Sequence, residues 1–135
     1  MRKNYGIGII STNHYIPQYL QSNEELCKVM KDVTPEWILS KTGIKRRFIA
    51  SSDESASSMA TEAIKNAIGK CNIKSEDIGL IVVATFSPDY MFPPVSAKIQ
   101  NNLNAINAQI IDINTNCTGF VTALTVASDR MKIDQ

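Results

Sequence analysis

Ala108-Gln-Ile-Ile-Asp-Ile-Asn-Thr-Asn-Cys-Thr-Gly-Phe120 decides the reading of this chain. Ala108 to Ile113 reads as a buried strand. Asn114 to Asn116 reads as a tight polar turn, and a helix of small residues is predicted to begin near Cys117. A cysteine at such a junction meets unpaired backbone N–H groups and the positive end of the helix dipole, which favour thiolate. Gly119 is expected to let a substrate or another segment approach closely. Cys117 is therefore the candidate nucleophile.

Upstream of this stretch, Ile78 to Thr85 (IGLIVVAT) is a continuous apolar run of the kind that fills a central parallel strand. Met59, Ala60, Ala63, Ile64, Ala67, Ile68 and Cys71 recur at helical spacing and predict an amphipathic helix lying on that sheet. Val95 to Leu103 is read as a second helix. Phe86 to Pro94 between them is a loop carrying Phe86, Tyr90 and Phe92. Tyr5 to Ser11 (YGIGIIS) is expected to form a buried first strand, with Gly6 and Gly8 allowing close packing. The order is α/β with a largely parallel sheet of three strands. Sites in such sheets lie at the carboxyl ends of the strands, which places the loops after Thr85 and Ile113 on the functional edge.

Between the first strand and the long helix the signals are local. Ser22 and Glu25 make a capping box for a helix reaching about Met30. Thr34 caps a short helix with Pro35 at its first position, and Gly43 ends it. Trp37, Lys41, Lys45, Arg46 and Arg47 then cluster. They suit either a solvated basic turn or a clamp, with Trp37 for a flat ring and cations for phosphates. His14, the only histidine, lies in a Pro-containing loop and is read as a loop residue rather than a base.

At 135 residues the chain is about one domain, and a net charge of +1 gives no case for nucleic acid or an acidic membrane surface. No apolar run approaches the roughly 18 residues of a membrane span. The three cysteines, Cys27, Cys71 and Cys117, are widely spaced with no metal-ligand pattern. Reduced thiols in the cytoplasm, no metal and no cofactor are the expectation. Asn116-Cys-Thr118 matches a glycosylation acceptor, read here as a chance match at a strand–helix junction.

Four segments in order carry a resemblance: EWILSKTGIKRR (Glu36–Arg47), DIGLIVVAT (Asp77–Thr85), SPDYMFP (Ser87–Pro93) and DINTNCTGF (Asp112–Phe120). Together they resemble the N-terminal part of β-ketoacyl-acyl-carrier-protein synthase III, of the thiolase-like superfamily. The resemblance implies a layered α/β fold with a buried central helix. It implies that Cys117 takes an acyl group from acyl-CoA as a thioester, and that Trp37 and Lys41 bind coenzyme A. Lys41 stands where the family usually has arginine, keeping the charge without the bidentate fork. Val33 replaces a threonine, and Asn116 replaces the alanine usual before the cysteine. Phe92 matches an aromatic that crosses a homodimer to close the partner's acyl pocket.

By the same resemblance the second substrate is a malonyl-acyl carrier protein, and no nucleic acid or membrane takes part. The family completes its site with a histidine and an asparagine from its C-terminal half, and His14 matches neither. Residues 1–135 are accordingly expected to be an incomplete half of the fold, because the helix after Cys117 is apolar on most sides. Two other readings stay open: an inactive truncated paralogue acting as a dimerisation module, and a thiolase or hydroxymethylglutaryl-CoA synthase-like enzyme using the same cysteine.

Overall fold

The structure, a computed structural model, describes residues 6–133. It divides into two compact units: Ile16–Ser55 forms one, and the rest of the chain forms the other.

The larger unit is built on two parallel strands, β3 (Leu80–Ala84) and β4 (Gln109–Ile113), paired from Leu80–Gln109 to Ala84–Ile113. The connection between them is helix α4 (Val95–Leu103), as the apolar runs predict. Side chains alternate across this pair. Ile81 and Val83 pack with Val95, Ile99, Leu103 and Ala105 of the α4 region, and that cluster also takes Ala60 and Ile64 from helix α3 (Ala56–Cys71). Thr61 of α3 is buried, and its hydroxyl accepts a hydrogen bond from Asn102 at 3.2 Å. Leu80, Val82, Ala84 and Ile113 instead face helix α5 (Gly119–Ile133) across an open cavity of about 430 Å³. The layers are thus α3 and α4, the strand pair, and α5.

Helix α5 is apolar on most sides, yet these residues cover only part of it. Phe120 is 73% exposed and Val121 66%, whereas Gly119 is buried.

The expected first strand is not formed. Tyr5 lies outside the described residues, and Gly6 to Ser11 pair with no strand. A strand exists only by hydrogen bonding to a neighbour. This segment instead runs beside α3, where the Ser11 hydroxyl donates to the Ala67 carbonyl at 2.8 Å. Gly6 and Gly8 have open space around them, so their expected close packing is absent. The three-stranded parallel sheet is accordingly two strands among the described residues.

The smaller unit contains a second sheet that the hydrophobic pattern did not reveal. Strand β1 (Tyr19–Ser22) pairs antiparallel with β2 (Arg46–Ile49). Helix α1 (Asn23–Cys27) follows β1 under the predicted capping box, with Ser22 Oγ accepting from the Glu25 N–H and Glu25 accepting from the Ser22 N–H. It ends three residues short of the predicted Met30, in a hydrogen-bonded turn. Helix α2 (Pro35–Thr42) has the predicted Thr34 cap, and Gly43 stops it with a left-handed φ of 70°.

Asn23 organises this unit. It is 3% exposed, and its amide donates to the Ile44 carbonyl at 2.9 Å and the Pro35 carbonyl at 3.4 Å. Its carbonyl oxygen accepts from the Arg47 guanidinium, which also donates to the Ser22 carbonyl at 3.3 Å. One buried amide therefore ties α1, the start of α2 and β2 together.

Candidate active site

Because β3 and β4 run parallel and end in register at Ala84 and Ile113, their carboxyl ends share one edge. The Thr85 N–H donates to the Ile113 carbonyl at 3.1 Å, extending the pairing into the loops. The loop of Phe86 to Pro94 and the turn of Asn114 to Thr118 both leave from this edge, as expected for a site in such a sheet.

Cys117 is exposed and lies in a 3-10 turn, Asn116–Thr118, rather than in the first turn of the α-helix. Helix α5 starts two residues later than the cysteine, at Gly119. The turn closes on its own amides. The Thr118 N–H donates to the Thr115 carbonyl at 3.2 Å, and the Gly119 N–H donates to Asn116. The pool of unpaired N–H groups expected around the sulfur is therefore partly consumed by the turn itself.

Threonine hydroxyls brace the turn, a feature the sequence reading missed. Thr118 Oγ1 donates to the Thr115 carbonyl at 2.8 Å, and Thr122 Oγ1 donates to the Thr118 carbonyl at 3.1 Å. The Thr115 hydroxyl reaches Thr122 Oγ1 at 3.4 Å. Threonines at 115, 118 and 122 stand three and four residues apart, spacing that brings side chains onto one helical face.

Asn116 has a φ of 47°, left-handed backbone that asparagine tolerates better than most residues. It and Gly119 line the cavity between α5 and the strands. Of the two close approaches expected at Gly119, the structure shows that of another segment of the chain. A Cβ built there would stand 3.2 Å from Ala84 Cβ, so the close approach serves helix-on-strand packing.

Phe92 is 86% exposed on the same unit, in the loop after β3. Asp89 ties that loop down. Its carboxylate accepts from the Ser57 N–H at 3.1 Å, at the start of α3, and pairs with Lys98 at 3.2 Å. Lys98 also stacks 4.6 Å from the centre of the Tyr90 ring.

In the smaller unit, Trp37 and Lys41 stand four residues apart on α2, on one helix face, and both are exposed. Arg47 is drawn into the Asn23 network and leaves the cluster of cations proposed as a clamp. His14 is exposed in a loop, and its backbone N–H donates to the Asn13 side chain at 2.9 Å. The Cys71 thiol donates to the Ala67 and Ile68 carbonyls of its own helix at 3.4 and 3.5 Å, in keeping with a packing role. Among the described residues no group of three or more His, Cys, Asp or Glu side chains could hold a metal, and no helix is long and apolar enough to cross a membrane.

No family model matches the chain. Individual proteins do. The β-ketoacyl-acyl-carrier-protein synthase III of Caldanaerobacter subterraneus subsp. tengcongensis is 42% identical over 127 residues, covering 94% of this chain and 38% of that protein. The crystal structure of 3-oxoacyl-acyl-carrier-protein synthase III from Aquifex aeolicus superposes with a TM-score of 0.88 at 37% identity, over 96% of this chain and 41% of its own. The priming β-ketosynthase of a polyketide biosynthetic pathway superposes with a TM-score of 0.82 at 36% identity, over 88% of this chain and 35% of its own. The chain thus spans about two fifths of the length of these relatives. Over that span the resemblance read from the sequence holds: the chain matches the N-terminal part of β-ketoacyl-acyl-carrier-protein synthase III, and its fold is the corresponding part of a thiolase-like fold.

Proposed function

We propose that the protein is a β-ketoacyl-acyl-carrier-protein synthase III-type acyltransferase in which Cys117 is the acyl acceptor. The observation that carries this reading is the exposed Cys117 in a braced turn at the carboxyl edge of β3 and β4, in a chain 42% identical to such a synthase. In the first half of the reaction the Cys117 thiol gives up its proton and its sulfur attacks the thioester carbonyl of acyl-CoA. The new S–C bond forms, the bond to coenzyme A breaks, and the departing thiolate takes up a proton. In the second half a malonyl-acyl carrier protein loses carbon dioxide. The resulting enolate carbon attacks the Cys117 thioester and expels the cysteine thiolate. That step draws on the histidine and asparagine that the resemblance assigns to the C-terminal half.

Trp37 is assigned to the adenine ring of coenzyme A and Lys41 to its phosphates, where one cation gives attraction without the forked geometry of arginine. Phe92 is assigned to the acyl pocket of a homodimeric partner, a role that suits its exposure in the single chain. Acyl-CoA serves as substrate rather than cofactor, the carrier protein is the second partner, and fatty acid or related synthesis in the cytoplasm is the setting. The test is release of coenzyme A on mixing with acetyl-CoA, before any carrier protein is added. Up to one equivalent of free thiol is expected from the wild type and none from Cys117→Ala; equal release from both would remove the reading. Malonyl-carrier protein accepted in preference to a second acetyl-CoA would then separate this reaction from a thiolase-like one.

A further inference from the structure

We propose that Asp112 is a positioning residue for Cys117, a role that rests on the acyl-acceptor reading above. Asp112 lies on β4 in register with Val83. Its two carboxylate oxygens accept the first free N–H groups of α4: Oδ2 from Val95 at 2.8 Å and Oδ1 from Ser96 at 2.9 Å. The residue before this helix is Pro94, and it makes no side-chain cap. A strand residue therefore does what a local cap would do, with a full negative charge at the positive end of the helix.

The consequence lies in what this link joins. On one side is the β4 end that runs through Asn114 and Thr115 into the cysteine turn. On the other is the first turn of α4. That turn also carries Lys98, which pairs with Asp89 of the Phe92 loop at 3.2 Å, and Asp89 in turn receives the Ser57 N–H of α3 at 3.1 Å. Two carboxylates thus fasten both helix starts and the loop to the edge from which Cys117 leaves. The turn is held elsewhere by the Thr85 bond to Ile113 at 3.1 Å and by the close packing of Gly119 on β3, where an added Cβ would stand 3.2 Å from Ala84 Cβ. Asp112 supplies the anchor on the α4 side. Nucleophilic attack is sensitive to placement, and a misplacement of about 1 Å costs on the order of a hundredfold. Removing the anchor therefore acts on the acylation step. Coenzyme binding is expected to be unchanged, because Trp37 and Lys41, to which it is assigned, stand on α2 and are not among the partners of Asp112.

The experiment follows acylation of Cys117 by intact mass across acetyl-CoA concentrations for the wild type, Asp112→Ala and Asp112→Asn. Asp112→Ala is expected to lower the maximal acylation rate about tenfold or more, with the half-saturating concentration unchanged within about twofold. Asp112→Asn keeps one acceptor oxygen and should fall between. An unchanged maximal rate in Asp112→Ala overturns the proposal, as does a loss that appears only as weaker saturation. If Asp112→Ala does not fold, Asp112→Asn decides, and a wild-type maximal rate there overturns it. A wild type that never acylates removes the acyl-acceptor reading and this proposal with it; acylation of the Asp112 variants at the wild-type maximal rate removes this proposal alone.

Discussion

At Gly119 an added Cβ would stand 3.2 Å from Ala84 Cβ, tighter than side-chain contacts ordinarily are. The obstacle is Ala84 Cβ on a paired strand, which cannot rotate away as a long side chain would. Gly119→Ala asks α5 and β3 to part by a few tenths of an ångström, and overpacking of this kind costs about 1–3 kcal/mol. Urea denaturation is expected to show that loss; a variant as stable as the parent would mean that α5 gives way freely. Asn116 presents the opposite situation, because its constraint is the backbone. A left-handed φ costs an ordinary L-residue roughly 1–2 kcal/mol, and glycine escapes that cost. Asn116→Gly is therefore expected to leave the stability nearly unchanged, with Asn116→Ala less stable by about 1 kcal/mol. The reverse order would contradict the conformation assigned to the turn. Both positions were visible in the sequence as a small or polar residue beside a cysteine. What they touch was not, because Ala84 lies 35 residues away along the chain.

At the scale of elements, the predictable ones are those whose signals are local. Ser22 with Glu25, and Thr34 with Pro35 and Gly43, sit within a few residues of the helix ends they define. The runs Ile78 to Thr85 and Ala108 to Ile113 gave β3 and β4 to within two residues at each end. The failures are elements that depend on a distant partner. Strands β1 and β2 are separated by two helices and pair only through the fold, and the sequence marks Arg46 and Arg47 of β2 only as members of a basic cluster. The Gly6 to Ser11 run has strand composition but pairs with no strand among the described residues. Asp112 and Asp89 likewise cap helices from elsewhere in the chain, so no capping pattern marks them. Packing between elements yields a sharper prediction. Ile99 on α4 is fully buried among Ile81, Val95 and Leu103. Ile99→Ala removes that contact and leaves a cavity, at a cost of about 2–5 kcal/mol. Thr34→Ala, which removes only a cap at the surface, should cost about 1 kcal/mol. Thermal melts of the two variants check the ranking.

For the molecule as a whole, the central point is the division between what holds the cysteine and what surrounds it. The strand pair, the threonine braces, Asp112 and Gly119 fix the Cys117 turn from within one unit. By contrast, α5 shows Phe120 and Val121 to solvent, and the relatives extend to more than twice the length matched. Acyl acceptance is accordingly the part of the proposed chemistry that these residues carry most directly. The decisive measurement is peptide mapping by tandem mass spectrometry after incubation with acetyl-CoA, quenched in acid to preserve the thioester. The account predicts a hydroxylamine-labile acetyl group on Cys117, with Cys27 and Cys71 unmodified. An acetyl group on those cysteines instead, or none on Cys117, would contradict it.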